Sequence, residues 1–157
     1  NLFSYTGTVT SLAAIGGASK TITVDASKKY LDWAKRNLQL NGLYSKEHQF
    51  FQSDCREWLK KDRNMYDIIF LDPPTFSNSK SSREIFDVQI DYIELLNLCG
   101  KILNRNGVLY FSNNFRKFKF DETLFPNFNI KEITPSTIDE DFTGNPKIHR
   151  CWEIRWK

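Results

Sequence analysis

One stretch of this chain brings together residues that could do chemistry under tight backbone constraint. Residues 66–80 read Y-D-I-I-F-L-D-P-P-T-F-S-N-S-K, so Asp72 follows the apolar run Ile68, Ile69, Phe70, Leu71 and is followed at once by Pro73 and Pro74. An apolar, β-favouring run bounded by a turn signal predicts a strand buried on both faces. Two consecutive prolines lack amide hydrogens and fix φ, so the strand must stop there. A carboxylate is thus expected at the carboxyl end of a central strand, on a stiff turn, with the ring of Phe76 close behind. In open α/β sheets that is where ligands bind. A carboxylate there can stabilise developing positive charge. The Pro73-Pro74 turn can present backbone carbonyls to the polar edge of a planar base, and Phe76 can stack on its face.

Three further stretches add to this. Ser4-Tyr5-Thr6-Gly7 is a turn between a short apolar segment at 2–5 and an apolar helix over 9–15 that ends at Gly16-Gly17. Strand, glycine turn and helix open a nucleotide-binding α/β unit, although the single glycine is less than the G-x-G-x-x-G pattern. Asp25 follows Gly7 by 18 positions. An acidic residue at about that spacing is placed to accept hydrogen bonds from ribose hydroxyls, and it can equally cap the helix that Ala26 and Ser27 lead into. Asp54, with Cys55 beside it, is the third acid at a strand end.

The elements that must position these groups alternate. Strands are expected over 20–24, 48–52, 68–71 and 108–111, with helices over 27–40, in a short piece around Glu57, and over 83–103. The long helix should turn its Phe86, Ile90, Ile93, Leu96, Leu98 and Leu103 inward. A polar loop at 77–82 contains Lys80. After the expected strand at 108–111 comes Ser112-Asn113-Asn114, then F-R-K-F-K-F at 115–120. Interleaved cations and aromatics suit a stacking and phosphate-binding surface, or phenylalanines packed beneath lysine stems. Two last strands, 129–133 and 149–156, have no helix between them, which forbids a right-handed parallel crossover. The fold class is therefore α/β: a Rossmann-like, doubly wound seven-strand sheet, mostly parallel, with an antiparallel last strand inserted beside the fifth.

Composition bounds the rest. The chain has 157 residues, 40% hydrophobic and 26% charged, with net charge +3, which describes one globular domain without internal repeats or linkers. Thirteen Phe, six Tyr and four Trp are a generous aromatic supply. Three widely spaced cysteines, with no C-x-x-C pair, argue against a disulfide framework or zinc site and for reduced thiols in a cytoplasmic setting. No apolar run is long enough for a membrane span. The abrupt opening inside an expected strand suggests a piece of a longer protein.

The constellation resembles the class I S-adenosyl-L-methionine-dependent methyltransferases. More closely, it resembles the large-subunit ribosomal RNA guanine methyltransferases of the RlmK/RlmL kind. The residues that carry this are N-L-F-S-Y-T-G-T at 1–8, T-V-D-A-S at 23–27, W-A-K-R-N-L-Q-L-N-G at 33–42, D-C at 54–55, D-P-P-T-F-S-N-S-K at 72–80, F-S-N-N at 111–114 and I-H-R-C-W at 148–152. The resemblance implies that the Ser4, Tyr5, Thr6, Gly7 loop holds the methionine end of S-adenosyl-L-methionine. It implies that Asp25, Ala26 and Ser27 take the ribose, that Asp54 and Cys55 lie at the adenine edge, and that Asp72, Pro73, Pro74 and Phe76 face the target base. No metal is implied. The implied partner is 23S-type ribosomal RNA before full subunit assembly, with upstream RNA-binding domains in the same polypeptide.

The sulfonium is already a strong electrophile, so the protein mainly positions a flipped-out or unpaired base in line with the methyl group. Cytosine C5 chemistry would need a cysteine nucleophile, and a related C5 family carries it where this chain has Ser112-Asn113-Asn114. Guanine N7 needs no proton removed, and its alkylation leaves a cationic ring that Asp72 would stabilise. The exocyclic N2 also loses a proton, which Asp72 with a carbonyl clamp could accept, so the residues alone do not decide; the resemblance favours N7. Two alternatives stand beside this reading: a non-catalytic RNA-binding fragment, and a dinucleotide-dependent oxidoreductase sharing the glycine turn and Asp25.

Overall fold

The computed structural model describes residues 1–77, 85–142, 144–145 and 148–157. The expected loop residue Lys80 and the expected start of the long helix at 83 lie outside them. The chain forms two compact units, Asn1–Lys61 and Asp62–Lys157.

In the first unit, helix α1 (Thr8–Ile15) leads to strand β1 (Thr21–Asp25), helix α2 (Lys28–Leu40), strand β2 (His48–Gln52) and helix α3 (Cys55–Lys61). β1 and β2 pair in parallel, Thr21 opposite His48 through Asp25 opposite Gln52. The expected opening strand is reduced to one parallel bridge, Leu2 to Val24, because the backbone turns into left-handed conformations at Phe3 (φ 54°) and Tyr5 (φ 49°). α2 begins where Ser27 caps it, the hydroxyl accepting from the Tyr30 amide. It buries Leu31, Ala34 and Leu38, while Trp33 is 44% exposed.

The second unit is built on a mixed sheet. Strand β3 (Tyr66–Leu71) is followed by a two-residue hairpin of β4 (Phe76–Ser77) with β5 (Phe86–Asp87), then helix α4 (Val88–Lys101), strand β6 (Leu103–Asn113), strand β7 (Phe128–Glu132), a one-turn helix α5 (Thr134–Thr137) and strand β8 (Arg150–Trp156). The strand order is β3-β6-β8-β7. β3 and β6 are parallel, and β8 is antiparallel to both of its neighbours. The last strand is therefore inserted antiparallel beside the strand that ends at Asn113, as the helix-poor final connection predicts; one turn of helix cannot make a crossover. Within each unit the pairings give a parallel pair and a mixed four-stranded sheet.

Several expectations need correction. β3 is not buried on both faces: Ile69 and Leu71 are buried, but Ile68 is 64% exposed, the period-two alternation of a strand with one covered face. The long helix starts at Val88, capped by Asp87, whose carboxylate accepts from the Gln89 amide. Its inward face is consequently Val88, Tyr92, Leu95, Leu96 and Cys99, and Ile90 points outward at 69% exposure. Residues Asn106 and Gly107 fall between the expected helix over 83–103 and the expected strand over 108–111, yet no turn separates those elements there. They lie within β6, where the register against β3 shifts between Tyr66 and Ile68. A side chain on Gly107 would come within 2.9 Å of the Asp67 carbonyl and 2.8 Å of Leu103, so only glycine allows this close backbone approach.

The core of this unit is aromatic. Tyr92 packs 5.0 Å edge-on to Phe118 and 6.2 Å stacked on Phe111. Trp152 lies 5.5 Å from Phe111 and 5.0 Å from Phe120. Much of F-R-K-F-K-F is thereby absorbed: Phe118 is 3% exposed and belongs to the core, and only Phe115 faces elsewhere.

Candidate active site

In the first unit, the Ser4–Gly7 turn is closed by the Gly7 amide donating to the Ser4 carbonyl at 2.8 Å. Gly7 caps α1 in the left-handed region, φ 71°. A Cβ there would lie 2.4 Å from the Ala34 Cβ, so glycine is demanded both by the dihedral and by α2 packing against it. From the same side, the Asn37 side-chain amide donates to the Thr6 carbonyl at 2.8 Å. Ser4 is 7% exposed and Ser11 is 7% exposed. Both hydroxyls are buried without a hydrogen-bond partner among the described residues. Tyr5 is exposed, its ring edge-on to Tyr30 at 4.6 Å.

Asp25 ties this turn to the end of β1. Its Oδ2 accepts the Tyr5 amide at 2.9 Å and its Oδ1 accepts the Ser27 amide at 2.8 Å. Ser27 rather than Asp25 is the cap of α2. Each carboxylate oxygen keeps a second lone pair for a ligand donor. The amide of Ser53, after β2, donates to the Asp25 carbonyl at 3.0 Å, which sets Asp54 beside the end of β1. Asp54 caps α3, its Oδ1 accepting from Arg56 and Glu57 at 2.9 and 3.1 Å. Ala26 is exposed at the surface of this corner. Cys55 is different: it is 2% exposed, its sulfur accepts the Phe3 amide at 3.1 Å, and its thiol faces the Val24 carbonyl. Burial pushes that thiol up to about 12, so its side chain serves packing. The first unit thus gathers Ser4, Tyr5, Thr6, Gly7, Asp25, Ala26, Ser27 and Asp54 at its strand ends.

In the second unit, Asp72 leaves β3 half-buried, Pro73 is buried and Pro74 exposed. The Thr75 carbonyl accepts the Val88 amide at 3.1 Å, which anchors the turn to the start of α4. Burial raises the Asp72 carboxyl above the usual carboxylate range; a hydrogen bond from Ser112 and the nearby His149 ring act against that. Phe76 is 58% exposed and lies edge-on to Phe115 at 6.1 Å. Ser112 and His149 escaped residue-level reasoning: Ser112 comes to Asp72 through the parallel pairing of β6 with β3, and His149 through β8 inserting beside β6. The signal was their place in F-S-N-N and I-H-R-C-W. Cys151 pairs across from Ser112. Burial, then the Asp72 charge, raises its thiol to about 11, so it stays protonated and is no nucleophile at neutral pH. His48 shares a 3.0 Å hydrogen bond with Thr21 across the β1–β2 pair, which accounts for it structurally.

Among the described residues no cluster of three or more His, Cys, Asp or Glu could hold a metal ion, and no helix is long and apolar enough to cross a membrane. Residues 1–122 match the sequence family described as conserved hypothetical protein 95. The ribosomal RNA large subunit methyltransferase K/L of Ectopseudomonas mendocina (strain ymp) is 57% identical over 154 residues, 98% of this chain and 21% of the relative. That of Saccharophagus degradans is 49% identical over 155 residues, 99% of this chain and again 21% of the relative. The chain thus spans about a fifth of the length of these relatives. Among solved structures, SMU.776 complexed with SAH superposes with TM-score 0.84 at 28% identity, covering 98% of this chain and 43% of that one. The SAM-dependent methyltransferase from Agrobacterium tumefaciens gives TM-score 0.77 at 26% identity, covering all of this chain and 54% of that one.

Proposed function

The chain belongs to the conserved hypothetical protein 95 family, and from its likeness to the large-subunit ribosomal RNA methyltransferases and to the solved methyltransferase structures we propose that it is an S-adenosyl-L-methionine-dependent methyltransferase acting on a guanine of large-subunit ribosomal RNA, at N7 in preference to N2. The observation that carries the reading is the Asp72 turn: a carboxylate at the end of β3, bonded by Ser112, with an exposed aromatic ring four residues on. The residues of the first unit fit the cofactor. Ser4 carries a buried hydroxyl without a partner among the described residues in the turn proposed for the methionine end, and Asp25 and Asp54 keep lone pairs for nucleoside donors. When bound, S-adenosyl-L-methionine supplies an electrophilic methyl group.

The chain's own residues do the positioning. Asp25, braced by two backbone amides, accepts the ribose hydroxyls, and Asp54 fixes the adenine edge. Pro73 and Pro74 hold the turn stiff, Phe76 stacks on the guanine, and the Asp72 carboxylate stabilises the cationic ring that N7 alkylation leaves. In this reading the two units act as one methyltransferase domain with the expected seven-strand sheet. Its partners are 23S-type ribosomal RNA before full assembly and upstream RNA-binding domains, in the cytoplasm. Calorimetry with S-adenosylhomocysteine, followed by mass spectrometry of nucleosides from ribosomal RNA incubated with the protein and S-adenosyl-L-methionine, tests it. Binding of the cofactor product and appearance of 7-methylguanosine are expected. Binding of NAD instead, or a methyl group on another atom, would overturn it.

A further inference from the structure

The second unit contains a cavity of about 230 Å³ beside the end of β6, lined among others by Asn113, Phe115, Arg116, Glu132, His149 and Arg150. Its volume falls just under the ~300–1,000 Å³ of drug-sized ligand pockets, which suits a single ring system. One wall is chemically closed. Arg150 donates to both Glu132 oxygens at 2.9 and 2.7 Å and to the Phe118 carbonyl at 2.8 Å, and lies over the Trp152 ring at 4.6 Å. Thr134 donates to Glu132 at 2.8 Å and accepts the Cys151 amide at 3.0 Å. The Nε2 of His149 is shared with the Thr137 hydroxyl at 2.8 Å. This wall gives shape and rigidity, not free charge.

Three other lining residues are open to a ligand. Asn113 is 1% exposed. Its Oδ1 accepts the Phe115 amide at 3.1 Å, but its Nδ2 donates to nothing among the described residues. A buried donor left unpaired is costly and calls for an acceptor. Arg116 is exposed and in no ion pair among the described residues. Phe115 touches Phe76 on one side and lines the cavity on the other. An aromatic face, an amide donor and a free guanidinium are the groups that hold a base by its face, its acceptor edge and its phosphate. Asp72 is not among the lining residues, but His149, which lines the cavity, acts on its carboxyl, so the cavity adjoins the Asp72 turn.

We propose that this cavity seats the nucleotide adjoining the methylated guanine in the RNA strand, its base against Phe115, a base acceptor on the Asn113 amide and its phosphate on Arg116. This rests on the RNA methyltransferase reading above. The test is fluorescence anisotropy with a labelled single-stranded oligoribonucleotide across a salt series, with methyl transfer measured in parallel. Arg116→Ala should weaken binding for all sequences and flatten the slope of log Kd against log salt by about 0.7, one phosphate contact on a single strand. Asn113→Asp keeps the acceptor for the Phe115 amide and removes the donor. It should weaken binding about tenfold, with changed base preference at one position next to the guanine. If Asn113→Asp melts early, Arg116→Ala decides alone, since that residue is exposed. Unchanged affinity and salt slope in Arg116→Ala would overturn the proposal, whatever the parent protein methylates. No methyl transfer by the parent protein, with the variants binding as expected, would instead overturn the methyltransferase reading and leave a nucleotide-binding cavity without its place beside a methylated guanine.

Discussion

Replacing Gly7 by alanine probes the joint between the proposed cofactor turn and the helix behind it. At φ 71° an L-residue pays the left-handed penalty of about 1–2 kcal/mol. The new methyl would also stand 2.4 Å from the Ala34 Cβ and 3.1 Å from its Cα, inside α2. Overpacking of this kind typically costs about 1–3 kcal/mol, so Gly7→Ala should lose roughly 2–5 kcal/mol, or on the order of 10 °C in Tm for a chain of this length. Gly17 provides the control. Its φ is 92°, but nothing lies within 4 Å of the added Cβ, so Gly17→Ala should show only the backbone part, about 1–2 kcal/mol. The clash can be isolated further by placing Ala34→Gly in the Gly7→Ala background. A helical glycine costs about 1 kcal/mol by itself, yet in that background it should recover stability, a coupling of at least about 1 kcal/mol between the two sites. Thermal and urea melts followed by circular dichroism measure the parent, the three single variants Gly7→Ala, Gly17→Ala and Ala34→Gly, and the double variant, and calorimetry with S-adenosylhomocysteine reports whether the turn keeps its shape. Equal losses in Gly7→Ala and Gly17→Ala, or strictly additive Gly7 and Ala34 changes, would refute the packing argument.

Other perturbations separate binding from chemistry. Asp25→Ala should weaken S-adenosylhomocysteine by about 1.5–3 kcal/mol, as for bonds to a charged group; unchanged affinity in calorimetry removes Asp25 from the site. Asp72 has its carboxyl raised by burial. Its contribution to stability is therefore complete below the unfolded carboxylate value of about 3.9 and is lost as pH rises through the higher folded value. Asp72→Asn should accordingly melt higher than the parent at neutral pH, while methyl transfer drops about 10²–10³-fold and loses its acid limb. A lower Tm at neutral pH, or a retained acid limb, sinks this assignment. Phe76→Ala, at a position 58% exposed, should melt within about 0.5 kcal/mol of the parent and lose roughly 1–3 kcal/mol in use of RNA if the ring stacks on a base. Early melting with normal activity would make the ring structural.

Local chemistry made much of this protein legible in one dimension. The Pro73-Pro74 stop needs no tertiary information, because a residue without an amide hydrogen ends a ladder wherever it falls, and β3 does end at Leu71. The antiparallel last strand followed from the lack of a crossover helix. Asp25 illustrates the limit: spacing alone left it between helix cap and ligand group. The structure gives the cap to Ser27 and sets the Asp25 carboxylate against two backbone amides.

What only the tertiary structure decided depends on groups brought together across long sequence separations. Cys55 sits next to Asp54 in sequence, but the packing of Phe3 and Val24 turns its thiol inward. The face of α4 was misjudged because Asp87, not an apolar count, sets where the helix begins. In F-R-K-F-K-F the residue types alone could not divide surface from core; Tyr92, Phe111 and Trp152, from three different elements, claim Phe118 and Phe120 and leave Phe115 beside Phe76. Ser112 reaches Asp72 because β6 pairs with β3, and His149 because β8 lies between β6 and β7. Short-range sterics and hydrogen bonding determine where strands and helices start and stop, whereas which side chains meet is set by the pairing of distant strands, whose register is written in no single stretch of the chain.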